Sequence, residues 1–337
     1  VYSERYLEHS PSIGHPERPE RLISIVRGLR ENGLWGPPKT EIIEPQAATP
    51  DDILLAHSRE YLESVREHSV TQTPIDGDTP VRRNTFEIAL LAAGGAITAG
   101  RAVMEGRARN SFALVRPPGH HAFRSRGGGF CYFNNMAVMV KRMQRDYGIR
   151  RVAILDYDAH HGNGTQDIFY GDSSVLYISL HQHPLTLYPG SGFVSETGSG
   201  EGEGYTINAP MKPGSGDADY ASVLTRVLLP VVEQFKPELV AVSAGFDSHR
   251  EDPLTALDLS SEAYGWMTNL IVDTAEKTCG GKVVVVLEGG YDLDAISESA
   301  RNVVLALTGR RFRVPEPENS PAVVEELKQV LGRWWRL

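Results

Sequence analysis

Asp158 and His160 stand two residues apart in DYDAHHGNG, where the apolar run VAIL ends, and Asp247 follows a second apolar run in AGFDSHRED. In an extended segment, residues two apart point the same way, so Asp158 and His160 can reach one ion. Asp247 can supply a third ligand from the end of a different strand. One imidazole and two carboxylates suit Zn²⁺ or another divalent metal and leave positions open for water and substrate. An isolated Asp-X-His is more often a salt-bridged pair at a strand end. Here the same edge must also hold His120, His121 and Tyr291, and the joint pattern favours a metal. A two-metal site would need further aspartates near Asp247, and AGFDSHRED is not arranged for that.

His120 and His121 are consecutive in RPPGHH, a Pro-Gly turn after the run FALV. Adjacent histidines in a rigid turn can flank one small space, and imidazole is the side chain best poised for proton transfer near neutrality. Asp156 and Asn163, on the loop with the metal ligands, are natural partners for their far nitrogens. A carboxylate raises the pKa of its imidazole far more than a neutral amide does, so the two histidines would divide acid and base work. Tyr291 follows Glu-Gly-Gly after another buried run, where its hydroxyl could donate to a developing oxyanion.

The elements that must position these groups are short β-branched runs at 112–115, 152–157, 174–180, 238–244 and 282–288, separated by helix-like segments that include 85–105, 133–146, 218–235 and 262–278. Strands alternating with helices predict βαβ units and a mainly parallel sheet covered on both faces. In such sheets ligands bind beyond the carboxyl ends of the strands, and that is where the His and Asp residues fall. The composition is that of a globular chain: 337 residues, 41% hydrophobic and 23% charged. A net charge of −9 is not the basic footprint of a nucleic-acid binder, so no direct nucleic-acid binding is expected. Two cysteines, Cys131 and Cys279, cannot build a disulfide framework and fit a reducing compartment. The N-terminus has no apolar signal core, and no apolar run was expected to approach membrane-spanning length. A cytoplasmic location is therefore expected, with a nuclear one open if the source is eukaryotic. No repeat or composition break divides the chain, and residues 1–337 are read as one catalytic domain.

The motifs RPPGHH, GFCYFNN, LDYDAHHGNGTQ, SLHQH, AGFD, LEGGYD and, at 15–22, HPERPERL occur in order along nearly the whole chain. Together they resemble the histone deacetylase superfamily, with Asn163 in HHGNGTQ similar to the class II branch and its bacterial relatives. Acetylpolyamine amidohydrolases share that loop. The resemblance implies an α/β arginase/deacetylase fold, a single domain with a central, mainly parallel eight-stranded sheet flanked by helices and the active site at the carboxyl ends of the strands. It implies zinc, or alternatively ferrous iron, on Asp158, His160 and Asp247. His121 would take a proton from the attacking water and later give one to the leaving amine. His120, paired with Asp156, would stay more cationic, and Tyr291 would polarise the scissile carbonyl. Phe130, Gly129 and Tyr188 would line a narrow acyl-lysine tunnel, with Leu254 and Asp78 near its mouth. Potassium ions are implied at two places: around Asp156, Asp158, His160, Ser179 and Leu180, and around Phe169, Asp172, Val175 and Tyr205.

The implied reaction is hydrolysis of N-acetyl amides, longer acyl groups being open. Acetyl-lysine in a peptide or protein is the favoured substrate, because Leu254 follows Asp252-Pro253 where a polyamine-selective relative carries an acidic residue. An acetylpolyamine amidohydrolase, acting on acetylated small amines, is the alternative. Asp76 and Asp78 in IDGDTP could ring the mouth and attract a cation, although a solvated acidic turn accounts for them equally well. A catalytically inactive acyl-lysine binding module is the remote reading. Oligomeric state is not legible.

Overall fold

The computed structural model describes residues 1–11, 13–316 and 321–337. Six strands form one sheet: β1 (Asn110–Ala113), β2 (Val152–Asp156), β3 (Val175–Gln182), β4 (Thr206–Met211), β5 (Leu239–Ala244) and β6 (Val283–Leu287). Their spatial order is β1-β6-β5-β2-β3-β4, and every pairing is parallel. The parallel α/β architecture is as expected, but the sheet has six strands among the described residues, not eight. Beside β1, the Val1 amine donates to Phe112 O (2.7 Å) and Val1 O accepts from Leu114 N–H (3.0 Å), while Tyr2 N–H turns away to Ile43 O (3.1 Å). No ladder forms there. The strand missed in sequence, β4, reads TINAPM; Asn208 and Pro210 break its apolar run. Proline, which cannot donate to a ladder, is tolerated because β4 is an edge strand.

The helices are α1 (Glu20–Glu31), α2 (Pro50–Ile53), α3 (Arg59–Thr71), α4 (Thr85–Met104), α5 (Asn135–Tyr147), α6 (Asn163–Phe169), α7 (Asp217–Val223), α8 (Leu229–Phe235), α9 (Ser261–Cys279), α10 (Leu293–Leu307) and α11 (Ala322–Leu331). The single helix expected over 218–235 is divided by a π-helical stretch, Leu224–Leu228, just ahead of Pro230. A proline lacks the N–H that would close the turn behind it, and the wider turn absorbs the mismatch. By length and composition α4 could span a membrane, which corrects the expectation that no run comes near that length. Most of it is buried against the 3₁₀ turn Glu4–Glu8, α5 and β1 within the fold, as a core helix is.

Strands β2, β5 and β6 are buried on both faces, which is why, apart from Asp156 and Ser243 at their carboxyl ends, they are runs of Val, Ile, Leu and Ala. The chain proceeds from β2 through β3 to β4 on one side, then returns to place β5 on the other side of β2. A crevice at such a reversal is where open α/β sheets bind ligands. The loops that leave β2 and β5 carry Asp158, His160 and Asp247.

Candidate active site

The ligand atoms of Asp158, His160 and Asp247 all lie within 4.8 Å of one another. His160 Nδ1 is 3.2 Å from Asp158 Oδ1 and 2.8 Å from Asp247 Oδ2. Backbone N–H groups aim both carboxylates. Gly289 donates to Asp158 Oδ2 (2.8 Å), and Ala159 donates to Asp247 Oδ1 (2.8 Å). Glycine is required where strand ends crowd the carboxylates: a Cβ at Gly245 would fall 2.0 Å from Asp158 Oδ2, and one at Gly289 would fall 2.6 Å from oxygens of both aspartates.

This donor set fits a divalent cation. Both carboxylates are buried, and their ion-pair partners are the histidines His120 and His160. Burial and the Asp158 charge push the Asp247 carboxyl up, as in a buried anionic pair short of positive charge. A dication would supply that charge.

The two histidines of the turn face different partners. His120 Nδ1 is 3.1 Å from Asp156 Oδ2, and Tyr177 donates its hydroxyl to the same oxygen (3.1 Å). Burial works against charge on His120, but Asp158 and Asp156 outweigh it and raise the imidazole to about 10. His121 Nδ1 is 2.8 Å from Asn163 Oδ1. Burial, then the charges of His120 and His160, hold His121 well below its ordinary value. The rings lie 4.0 Å apart, so a cationic and a neutral imidazole stand side by side. Tyr291 is buried, and burial holds its phenol well above the usual value, so it remains a hydroxyl donor.

Gly128, Gly129 and Phe130 take φ of +148°, +55° and +68°. This left-handed strap passes over His121, and a Cβ at Gly129 would meet His121 Cδ2 at 2.5 Å. Phe130 stacks edge-on to Tyr291 (5.8 Å) and to His15 (4.7 Å). Tyr188 lies 5.2 Å from His121 and 6.5 Å from His160 between ring centres, and is 47% exposed. Leu254 is 37% exposed, and its N–H bonds to Asp252, whose other oxygen takes the Tyr291 N–H. Asp78 is exposed and its carbonyl meets His15 Nε2 at 3.1 Å. Of the expected wall and rim residues, Gly129 and Tyr188 stand directly against His121 and Phe130 against Tyr291, whereas Leu254 and Asp78 are linked to this group through Asp252 and His15. Beside it, an open cleft of about 550 Å³ is bounded by Tyr61, Asp76, His121, Asn163 and Tyr188.

Of the residues expected to hold potassium, Asp156 and Ser179 are register partners on β2 and β3, with Asp158, His160 and Leu180 beyond them. Phe169, Asp172, Val175 and Tyr205 gather at the opposite end of β3, where Asp172 N–H bonds to Phe169 O (2.9 Å) and Tyr177 N–H to Tyr205 O (2.9 Å).

Several structural partners escaped the sequence reading. Glu288 accepts the N–H groups of Gly119 and His120. Arg21 donates to the carbonyls of Glu288 and Gly290 and stands over the Tyr291 ring. Buried Glu17 pairs with Arg116 and Arg21. The available signal was a charge inside a motif otherwise read for its histidines or tyrosine: Glu in LEGGYD, Arg in RPPGHH, Glu and Arg in HPERPERL.

A buried His/Asp set that could hold a metal, beside paired histidines and a tyrosine hydroxyl, has the parts of a metal-dependent hydrolytic centre. The histone deacetylase domain model matches residues 15–307. A probable deacetylase of Archaeoglobus fulgidus is 44% identical across 100% of this chain and 98% of its own length. Histone deacetylase HDA1 of Saccharomyces cerevisiae is 39% identical over 95% of this chain, which spans 49% of that protein. A crystal structure of the HDA15 HD domain superposes with a TM-score of 0.92 at 38% identity, covering 99% of this chain and 94% of that one. The chain belongs to the histone deacetylase family, whose members are hydrolases acting on amide bonds.

Proposed function

We propose that this chain is a zinc-dependent deacetylase that hydrolyses the N-acetyl amide of acetyl-lysine in peptides or proteins, residues 1–337 forming one catalytic unit. The carrying observation is the pair of adjacent imidazoles with opposite charge preference, 4.0 Å apart, next to the buried Asp158–His160–Asp247 set. Asp158, His160 and Asp247 would hold the zinc, which when bound polarises the carbonyl and activates water.

His121, kept neutral, accepts a proton from the attacking water at Nε2, its Nδ1 being occupied by Asn163. His120, kept cationic by Asp156, stabilises the negative charge that develops beside it. Tyr291 donates its hydroxyl to the carbonyl oxygen as the tetrahedral centre forms. His121 then returns its proton to the amine, which leaves as a neutral group. The strap at Gly129–Phe130 and the Tyr188 ring hold the lysine stem and exclude water. Family resemblance adds potassium at the two carbonyl clusters around β3.

Leu254 supports acetyl-lysine over an acetylpolyamine, since an apolar side chain at the rim offers nothing to a second ammonium. Asp76 and Asp78 keep the polyamine reading as an alternative, because the two carboxylates stand near the approach, where partial desolvation and the Asp76 neighbour push the Asp78 carboxyl up. Ferrous iron is the alternative metal. Side-by-side turnover of a fluorogenic acetyl-lysine peptide, acetylputrescine and acetylspermidine tests the reading. Faster hydrolysis of the peptide is expected. Preference for either polyamine would overturn the substrate assignment, and a zinc-loaded chain inert to all three would favour an acyl-lysine binding module.

A further inference from the structure

Glu288 is fully buried and carries an ionisable group, yet its carboxylate hydrogen-bonds to none of Asp158, His160 and Asp247. Its carboxylate instead reaches across from the end of β6 to the histidine turn. Oε2 accepts the N–H of Gly119 at 2.7 Å and the N–H of His120 at 3.1 Å. Oε1 accepts the hydroxyl of Ser243, from β5, at 3.2 Å. Two successive backbone N–H groups converging on one oxygen form an anion nest that fixes the backbone which presents them. The three residues that follow Glu288 make further bonds around the site. Gly289 N–H holds Asp158, Gly290 O accepts Arg21, and Tyr291 N–H is held by Asp252.

We infer that Glu288 is a positioning residue for the proposed amide hydrolysis: its carboxylate clamps the Gly119–His120 backbone and thereby fixes His121 against the metal ligands and Tyr291. The strap Glu288–Tyr291 thus gauges the distance between the proton-transfer pair and the metal set from one continuous segment. A carboxamide at this position keeps the acceptor oxygen for the two N–H groups and can donate to Ser243. An aliphatic side chain of similar size leaves both N–H groups buried without a partner. This inference rests on the deacetylase reading above.

The test compares Glu288→Gln and Glu288→Leu with the wild type, using the zinc-loaded protein and the fluorogenic acetyl-lysine peptide. Glu288→Leu is expected to lose about 100-fold in kcat, the scale of a misplaced reacting group. Its KM and zinc content stay within about two-fold, as befits a group that acts only on the chemical step. Glu288→Gln recovers kcat to within about tenfold of wild type, because it keeps the acceptor. Amide hydrogen exchange at Gly119 and His120 is protected in wild type and Glu288→Gln and fast in Glu288→Leu. The inference is overturned if Glu288→Leu turns over like wild type, or if Glu288→Gln is as impaired as Glu288→Leu. Should Glu288→Leu not fold, Glu288→Gln decides: near-wild-type kcat with protected amides supports the clamp, and a 100-fold loss, on the order set by misplacement, overturns it. Should the wild type leave the peptide intact, the substrate reading fails, while amide exchange still decides the clamp.

Discussion

At the residue scale, His120 and His121 differ by what their Nδ1 atoms face: a carboxylate in one case, an amide oxygen in the other. The difference in charge is expected to matter only if a carbonyl becomes an oxyanion beside them. Tyr291→Phe removes a buried donor aimed at that oxyanion, and kcat should fall on the order of 10²- to 10³-fold with the fold intact. Unchanged turnover would exclude Tyr291 from the reaction. These residues were legible in sequence because each is a reactive side chain after an apolar run. The supporting residues were not. Asp252 and Glu288 act through backbone N–H groups of a distant segment, and such pairing appears only when strands are placed side by side.

At the element scale, the parallel sheet places the loops after β1, β2, β5 and β6 at one edge, and the apolar runs announced all four of these strands. Edge strand β4 was hidden by Pro210, and the π-helical stretch before Pro230 by an unbroken helical pattern. The strap Gly128–Phe130 is the element whose conformation most directly sets the approach. A methyl group at Gly129 would meet His121 at 2.5 Å and would sit on a residue at φ +55°. Gly129→Ala should therefore lower kcat at least about tenfold through displacement of His121, and should cost about 1 kcal/mol in stability from backbone strain. Stopped-time kinetics together with urea unfolding would check both. An Ala variant with normal kcat would show that the strap yields rather than His121.

At the scale of the whole molecule, buried neutral histidines tie the peripheral loops to the core. His57 donates from Nδ1 to Phe123 O (2.8 Å) and accepts at Nε2 from Asn134 N–H (2.8 Å). Asn134 in turn caps α5. Burial lowers His57 from 6.5 to about 4. Its folded-state pKa lies below its unfolded value, so the unfolded chain binds the proton more readily. The stabilisation is complete above pH 6.5 and is lost as pH falls from 6.5 toward 4, on the order of 3 kcal/mol. Urea midpoints should fall over that interval, and His57→Gln should flatten the fall. A slope unchanged by His57→Gln would move the acid sensitivity to other groups.

The central claim is that Asp158, His160 and Asp247 hold one metal on which amide hydrolysis depends. The most direct measurement is the zinc content of purified wild type and Asp247→Ala, taken with their turnover of an acetyl-lysine peptide. Wild type should carry a single zinc ion and hydrolyse the peptide, while Asp247→Ala, stripped of a charged ligand from the end of β5, should lose both. Retention of zinc and turnover in Asp247→Ala would contradict the account.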